Sequence, residues 1–487
     1  MGRTSACAAE SALAAVMRLH QQRQPYGGRP RADCINTPPP PTGSGARGKV
    51  ESSYSRASGF LIAVASWAVR ISLGIADQGV MSGANFLLSV LLARWLSPAQ
   101  FGQFAVAFSV FLFLASFHNA LIVEPMSVLG AARHRENLPA YRSSLVWLHV
   151  GLTCALSLLT AGGAYLVPDR ELQASLWALA VATPTMLLFW LFRRAYYLES
   201  HASWSAVTSL IYAVALLGLV LLLRQAGWLS AATAVLAMGG AGAVASLPSW
   251  GRLKLDLIGR NSPRVEEVLE ISRTHVSYGR WMVTTDIFTL GSYQIQTFLV
   301  AGLLGLEAAG VLRAMQAFTM PMVQVITAVG VISLPVMSHT FAQQGLPALR
   351  RKGLLLTAVL GAAAGLNALL LVTLASPLER LLYGGKFSEF TWVIGIFGLL
   401  PVFGALAQTY SLMLRPLRRP RYYLVVGLVP SCTGLLLAVP LILVGGLGGA
   451  ALSIVVTSAA SAATNYWLYR RWIAPLPRGS REEALAA

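Results

Sequence analysis

The side chains of this sequence that could bind a ligand or an ion lie inside long apolar stretches. Asp77 and Asp286 are the acidic members of this group, and Arg313 is the basic member. An ionisable side chain surrounded by hydrocarbon is costly, so it normally faces a cavity or a partner. A guanidinium matches phosphate oxygens in bidentate fashion, and a carboxylate binds a proton or a cation. These residue types predict a site for an anionic group and for a coupling ion.

Amide and hydroxyl groups accompany these charges at helical spacing on three of the stretches. We expect seven of these side chains to bind substrate, namely Gln78, Asn85, Tyr293, Gln296, Arg313, Gln316 and Gln324. Asp286 and Asp77 are the predicted residues for ion coupling. Such faces would line a water-filled cavity between helices.

Each assignment has a structural alternative. Asp286 can simply pair with a nearby cation, and Arg313 lies close enough to a membrane edge to extend its charge to water. Asp77 can form a local ion pair with Arg70, which lies two helical turns earlier. His118 lies on the helix side opposite the serines of its stretch, and one histidine is more often a hydrogen-bonded packing residue than a proton carrier.

The elements that must position these residues are apolar runs of about 20 residues, the length of a helix that crosses a bilayer. The composition is 55% hydrophobic and 11% charged, and the mean hydropathy is +0.62. We therefore predict an all-α polytopic membrane protein with about 12 transmembrane helices. The predicted spans are 71–93, 101–124, 144–167, 174–192, 204–223, 229–248, 281–304, 310–338, 353–375, 390–414, 422–442 and 444–468.

Basic residues alternate between the loops on the two sides of these spans. One set of loops, with the C-terminal tail, holds 22 of the 37 Lys and Arg residues, and the opposite set holds 5. Positively charged loops stay in the cytoplasm, so both termini are predicted to be cytoplasmic in a multi-pass protein of the cell (inner) membrane. Loop 193–203 belongs to the basic set, and Arg313 is the basic residue predicted inside a span. This distribution argues against a nucleic-acid partner despite the net charge of +18.

The predicted domain organisation has five parts. They are a disordered, basic and proline-rich tail (1–58), a six-helix half (59–248), a cytoplasmic connector (249–280), a second six-helix half (281–468) and a cytoplasmic tail (469–487). The four cysteines have neither metal-ligand spacing nor a disulfide pattern. No phosphate-binding Gly-x-x-x-x-Gly-Lys-Ser/Thr loop occurs in the sequence. We expect no cofactor, no metal and no catalytic residue, and transport driven by an ion gradient or the membrane potential.

The two halves show a trace of duplication. Residues 91–102 and 299–310, at an offset of 208, share four of twelve positions, among them Gly102 and Gly310. With six spans in each half, equivalent spans run in the same direction, so the halves should be related by an axis along the membrane normal. Parallel repeats of this kind place the substrate site at the repeat interface, around a central cavity.

The stretch 82–105 resembles the opening of the polysaccharide-biosynthesis flippases, which include the O-antigen and other lipid-linked oligosaccharide translocases. That opening combines a first helix of small residues with an Ala-Arg-x-Leu-x-Pro-x-x-Phe-Gly turn, here Ala93–Gly102. Residues 305–316 resemble the family's second-half turn. The family belongs to the multidrug/oligosaccharidyl-lipid/polysaccharide exporter superfamily, which also contains multidrug and toxic-compound extrusion transporters.

The resemblance implies a flippase or exporter for a polyprenyl-diphosphate-linked oligosaccharide in O-antigen or exopolysaccharide assembly, working by alternating access. The implied partners are this lipid-linked sugar, H⁺ or Na⁺ as coupling ion, membrane lipid, and polysaccharide polymerase or chain-length proteins. An ion-coupled exporter of cationic compounds is the alternative in the same superfamily, and acidic and aromatic groups would then dominate its cavity. A membrane-embedded polymerase or glycosyltransferase is the alternative of another class, and it would need a large outer loop or a carboxylate cluster.

Overall fold

The computed structural model describes residues 72–133, 137–198, 201–257, 259, 262–417 and 420–473. Side chains are described throughout these ranges except at 131–133, 202, 281, 284–293 and 420–424. The predicted N-terminal tail and most of the predicted C-terminal tail lie outside the described residues.

Helices are the regular secondary structure of the described ranges. They are α1 (Ser72–Trp95), α2 (Pro98–His118), α3 (Glu124–Arg133), α4 (Leu138–Ala164), α5 (Arg170–Leu198), α6 (Ala202–Gln225), α7 (Ala231–Arg252), α8 (Val265–Leu303), α9 (Leu306–Ala317), α10 (Met320–Thr373), α11 (Ala375–Tyr383), α12 (Thr391–Leu414) and α13 (Pro420–Trp472). A π-helical segment, Asn119–Val123, joins α2 to α3. Short 3₁₀ turns precede and follow α12 at Ser388–Phe390 and Arg415–Leu417.

Two of the longest helices each contain two membrane crossings. The backbone leaves helical geometry at Gly345 (φ 75°) in α10 and at Gly446 (φ 54°) in α13, a region of φ that favours glycine. Nine helices among the described residues are long and apolar enough to cross a membrane. Counting both parts of α10 and α13, and the apolar part of α8, gives twelve crossings. The predicted fold class, an all-α polytopic membrane protein with two six-helix halves, is confirmed.

Local sequence signals start the helices near the predicted positions. The Ser97 hydroxyl accepts a hydrogen bond from the backbone N–H of Gln100 at 3.1 Å, and Pro98 occupies the first turn of α2. Ser230 and Thr233 form a capping box at the start of α7. Both caps lie between apolar runs, so they fix where one crossing ends and the next begins.

The two ends of the helix bundle differ in charge. The basic end contains residues 252–257, 345–352 and 415–417, and α1 begins there. The far end contains residues 95–98, 165–169, 225–230 and 384–387, and α1 ends there. These names are used below without assuming a side of the membrane.

Helices α2 and α9 cross at the far end in a reciprocal contact. A Cβ atom on Gly102 would lie 1.7 Å from the carbonyl oxygen of Leu306, and a Cβ atom on Gly310 would lie 2.2 Å from that of Pro98. Pro98 and Leu306 are themselves 208 residues apart, like the two glycines. Each half therefore makes the same contact with the other, as a two-fold relationship requires. Only glycine lets the two backbones approach this closely.

The outer surface of the bundle is apolar. Leu436 is 74% exposed and Val444 is 90% exposed, and many other leucine and valine side chains share this exposure. Such side chains are typical of a surface that faces lipid tails, whereas the polar side chains of the membrane region face inward.

Candidate substrate cavity

A cavity of ≈ 830 Å³ lies between the two halves. Helices α1, α2, α5, α6 and α7 of the first half line it on one side, and α8, α9 and α10 of the second half line it on the other. Polar and aromatic side chains share its walls, so the cavity can contact a ligand of mixed character.

The structure brings five of the seven predicted substrate-binding residues together in this cavity. They are Gln78, Asn85, Arg313, Gln316 and Gln324. The side chains of Tyr293 and of the predicted ion-coupling residue Asp286 lie outside the described residues. Gln296 does not line the cavity.

Gln296 instead lies in the packed interior of the second half. It is 1% exposed, and its side-chain oxygen accepts a hydrogen bond from the Ser453 hydroxyl of α13. The cavity wall of α8 is formed by its neighbours Gln294 and Thr297. At this level of α8, Gln294 and Thr297 therefore face the cavity, and Gln296 does not, because α13 covers it.

Arg313 is held at the cavity by packing. Its guanidinium lies over the ring of Phe108 from the other half, 5.4 Å from the ring centroid. The next residue, Ala314, accepts a hydrogen bond through its carbonyl from the Tyr383 hydroxyl at 2.9 Å, which fixes α9 against α11. No carboxylate of the described residues forms an ion pair with Arg313. Among the described residues, its N–H groups have no acidic hydrogen-bond partner.

A second arginine, Arg193, enters the cavity from the first half. Its Nε lies 3.0 Å from both carboxylate oxygens of Asp77, and its Nη2 lies 2.9 Å from Oδ2. The same Nη2 donates to the Gln78 side chain at 3.1 Å. The Asp77 carboxylate is 0% exposed and lies behind Arg193, which lines the cavity.

Hydroxyl groups complete the surroundings of the Asp77 carboxylate. Ser205 donates to it at 2.9 Å, and Tyr197 and Ser209 donate as well. Asp77 thus has four side-chain donors, and its ion pair is with Arg193 on α5. This fully bonded carboxylate fixes the direction of the Arg193 side chain.

The predicted fourth span ends at residue 192 and so leaves Arg193 outside the predicted site. In the structure α5 continues to Leu198, so Arg193 lies on the same helix face as Met186 and Trp190, both of which line the cavity. The adjacent Arg194 points away and donates to the Ser127 hydroxyl at 3.4 Å. Extending the predicted helix by one turn would have placed Arg193 on the cavity-lining face and Arg194 on a different face.

An aromatic wall runs along α2 and continues onto α5. The rings of Phe104 and Phe108 lie 5.8 Å apart, those of Phe108 and Phe111 6.0 Å apart, and Phe111 meets Trp190 edge-on at 5.5 Å. All four rings line the cavity. Flat apolar faces beside amide groups suit the alternating apolar and hydroxyl surfaces of a sugar.

One cavity-lining amide has an unused acceptor. The Asn85 side-chain oxygen is buried and has no hydrogen-bond partner among the described residues. Two turns earlier, Gln78 donates to the Ser82 hydroxyl at 3.4 Å. A buried acceptor without a donor is costly, and a hydroxyl group of a ligand would satisfy it.

The described lining of the cavity carries two arginines and no carboxylate. The charge of Arg193 is partly balanced by Asp77, whereas that of Arg313 has no acidic neighbour among the residues described. The potential of this site therefore favours an anionic ligand. The described part of the chain holds no group of three or more His, Cys, Asp or Glu residues that could bind a metal.

Contacts join the two halves at the far end. The Lys386 ammonium donates to the carbonyls of Ala93, Arg94 and Leu96 at 3.0, 2.7 and 2.6 Å. Arg94 donates in turn to the Leu381 carbonyl at 3.3 Å. Burial of the ammonium, followed by the charge of Arg224, lowers the pKa of Lys386. The last turn of α1 is thereby capped by a cation of the second half.

Comparisons with known proteins agree with this geometry. The sequence model of the family described as polysaccharide biosynthesis protein matches residues 70–341. The structure is similar to an inward-facing multidrug resistance MATE family transporter of the MOP superfamily, with a TM-score of 0.71, 12% identity, and 83% of this chain and 99% of that chain covered. It is also similar to an outward-facing MATE family transporter of the MOP superfamily. The TM-score is 0.59 at 14% identity, and 85% of this chain and 95% of that chain are covered.

The lipid II flippase MurJ, in an inward closed conformation, is also similar. The TM-score is 0.61 at 13% identity, and 82% of this chain and 87% of that chain are covered. No curated protein matches the sequence. At these identities the structural matches establish the fold.

Proposed function

The chain belongs to the polysaccharide biosynthesis protein family, and we propose that it translocates a lipid-linked oligosaccharide across the membrane. It is a membrane flippase or exporter of the MOP superfamily. The finer proposal concerns the cargo, a polyprenyl-diphosphate-linked oligosaccharide for O-antigen or exopolysaccharide assembly.

One observation carries the proposal: the cavity between the halves presents Arg193 and Arg313 and no described carboxylate. A diphosphate carries two or more negative charges and fits bidentate guanidinium donors. A cavity for cationic compounds would need the opposite charge. The lining therefore favours the lipid-linked sugar over the exporter of cationic compounds.

The remaining walls fit the sugar part of such a cargo. The aromatic wall of α2 offers stacking surfaces, and Asn85, Gln316 and Gln324 offer amide groups for sugar hydroxyls. The polyprenyl tail would stay in the bilayer while the head group occupies the cavity. Gln294 and Thr297 replace Gln296 in the proposed site.

We assign the basic end to the cytoplasm, which places the termini there in a protein of the inner membrane. The far end is closed by Lys386 and by the crossing of α2 and α9, so the cavity would load from the cytoplasmic side. Release requires these far-end contacts to separate while the basic end closes, which is alternating access. Asp286 stays a proposed ion-coupling residue, whereas Asp77 is proposed to position Arg193.

The decisive experiment compares Arg193→Ala and Arg313→Ala with Arg194→Ala, whose side chain points away from the cavity. In a strain lacking the gene, Arg313→Ala should fail to restore surface polysaccharide at a normal membrane level. Arg193→Ala should fail as well when its expression is raised to match the wild-type membrane level, and Arg194→Ala should restore surface polysaccharide. The lipid-linked intermediate should accumulate on the cytoplasmic face.

Binding by purified protein provides the second measurement. Polyprenyl diphosphate should bind the wild type and Arg194→Ala, and bind both cavity variants at least about tenfold more weakly, since each loses a charge-assisted contact of roughly 1.5–3 kcal/mol. Full export by both cavity variants would refute the site. Resistance to cationic compounds, without accumulation of lipid-linked sugar in the deletion strain, would favour the drug exporter.

A further inference from the structure

Two histidines contact each other inside the first half, away from the cavity. Nε2 of His118 lies 3.0 Å from Nδ1 of His149, with the rings nearly perpendicular at 88°. His118 is 0% exposed and His149 is 2% exposed, and neither lines the cavity. The proposed handling of substrate makes no use of them.

The hydrogen bonds fix the proton positions of the neutral pair. The His149 ring also hydrogen-bonds to the backbone carbonyl of Pro184, which can only accept, so His149 donates there and keeps a lone pair on Nδ1. His118 must then donate from Nε2. The lone pair on its other nitrogen, Nδ1, is buried and has no partner among the described residues. This nitrogen is an open position for one proton.

The pair lies where two helices are locally weakened. His118 is the last residue of α2, and the π-helical segment Asn119–Val123 follows it directly. Such wide turns are frequent at functional sites. Pro184 lies within α5 and removes one backbone hydrogen bond of that helix. Both segments can change their backbone hydrogen bonds at modest cost.

A polar pocket of ≈ 280 Å³ lies between α3, α4 and α8, on the basic-end side of the pair. Glu267 and Glu270 of α8 line it, together with Ser144 of α4. Ser144 precedes His149 by five residues, which is about 7.5 Å along the helix. Carboxylates at the mouth of a pocket can collect protons from water.

The inner wall of the pocket is bonded to the π-helical segment. The Tyr141 hydroxyl lies 2.9 Å from Nε2 of His275, and Nδ1 of His275 lies 3.1 Å from the carbonyl oxygen of Leu121. Leu121 belongs to the π-helical segment that begins after His118. The pocket and the histidine pair are therefore connected through the same short piece of backbone.

The charged groups around the pair come from three neighbouring helices. Arg142 lies on the His149 face of α4, two turns nearer the basic end, and Glu124 begins α3. Glu270 and His275 face the pocket from α8. Helix α2 contains no Asp, Glu, Lys or Arg, and α5 contains none between Glu171 and Arg193. Arg142 opposes a positive charge on the pair, and the glutamates favour it.

We propose that His118 and His149 bind one proton between them and couple it to the conformational cycle; the coupling rests on the transport function proposed above. The proton comes from water at the basic end and adds to the His118 Nδ1 lone pair, which converts the neutral pair into a monocation. A second proton is excluded because two charged imidazoles at this distance repel strongly.

The protonated pair needs a new hydrogen-bond acceptor for Nδ1–H. The π-helical segment, which begins directly after His118, can supply one by shifting its register toward α-helical geometry. This shift moves Leu121 relative to α8, where His275 binds its carbonyl. Protonation thus favours a different packing of α2 against the second half, on the same helix whose aromatic wall lines the cavity.

Proton binding is tested by nuclear magnetic resonance of isotopically labelled histidine in the purified full chain in lipid nanodiscs. When the pH is lowered from about 8 to about 5, the ring signals of His118 and His149 should shift together in the wild type. They should be lost in His118→Asn and His149→Asn, and they should persist in His339→Asn, which removes an exposed histidine. Two signals that remain those of neutral rings throughout this range would refute the proposal, whatever the protein transports.

Coupling is tested in proteoliposomes with a fluorescent polyprenyl diphosphate as probe. A pH gradient should accelerate wild-type flipping and should have no effect on His118→Asn and His149→Asn, whose basal rates persist. Should these variants fold poorly, His118→Gln provides the same test with another amide. Full gradient stimulation in these variants refutes coupling at the pair. A positive titration with no flipping by the wild type would instead refute the proposed cargo.

Discussion

The two halves of the molecule each place one arginine in the cavity, but they hold it in different ways. In the first half, Arg193 is paired with the buried carboxylate of Asp77. In the second half, Arg313 lies on the ring of Phe108 and has no acidic partner among the described residues. The first arginine is held by its ion pair and partly neutralised, whereas no described acidic group offsets the charge of the second. The halves share a fold, and under the proposed function they would divide orientation and attraction of an anion between them.

A second difference lies at the far end. Helix α11 and residues 384–390 lie between the ninth and tenth crossings, where the first half has only the short link between Ala164 and Arg170. Lys386 belongs to this addition. The second half therefore carries the cation that caps α1, and the first half has no counterpart at its corresponding link.

The largest expected effect follows from removing one member of the first-half pair. Arg193→Ala leaves Asp77 buried without its cation, which should cost about 3–5 kcal/mol of stability. Arg313→Ala strands no carboxylate and should cost only about 0.5–2 kcal/mol, the value of a cation–π contact. Thermal unfolding in detergent measures both.

The double variant Asp77→Asn/Arg193→Gln provides the control for that pair. It should recover much of the stability lost in Arg193→Ala while binding of polyprenyl diphosphate stays impaired. Equal destabilisation by Arg193→Ala and Arg313→Ala would show that the two arginines are held alike, contrary to the comparison.

The crossing of α2 and α9 tests what the halves have in common. Gly102→Ala and Gly310→Ala should each destabilise the protein by about 1–3 kcal/mol, because the added methyl group overlaps a carbonyl oxygen of the other half. Gly302→Ala, where no atom lies within 4 Å, is the matched control and should be neutral. Unfolding measurements compare the two variants. A strong effect at one glycine and none at the other would argue against a reciprocal contact.

Lys386→Met tests the far-end addition. Loss of three hydrogen bonds from a partly buried ammonium should shift the equilibrium by about 1–2 kcal/mol toward a state open at the far end. A cysteine introduced at Ser97 should then react faster with a membrane-impermeant thiol reagent. Lys386→Arg should retain part of the wild-type protection. Unchanged reactivity in Lys386→Met would show that these bonds do not hold the cavity closed.

Gln296→Leu should have the smallest effect. At an offset of 208 its counterpart is the buried Leu88, so the substitution makes the second half resemble the first. Combined with Ser453→Ala, it should change stability by less than about 1 kcal/mol, since both partners become apolar together. Transport should be unaffected, whereas Gln294→Ala should impair it. Loss of transport in Gln296→Leu would show that Gln296 belongs to the substrate site.

Helical spacing on α1, α9 and α10 places polar groups on one face of each helix, and this spacing predicted most of the polar residues that line the cavity. It could not assign the face of α8, where Gln294 and Gln296 differ only in which neighbouring helix covers them. It also placed Arg193 in a loop, because two adjacent arginines after an apolar run look like the end of a span. His118 looked like a lone histidine, and its partner comes from a helix that begins twenty residues later.

The sequence by itself determined the number of crossings, because hydrocarbon admits only long apolar helices, and it predicts their direction, because basic loops resist translocation. It also contained the repeat, through the spacing of Gly102 and Gly310. Only the tertiary structure decided which polar groups meet. The Asp77–Arg193 pair, the Arg313–Phe108 contact and the His118–His149 pair each join helices that are distant in sequence. Their partners depend on how the helices are rotated and packed, and periodicity within one helix does not specify that rotation relative to its neighbours.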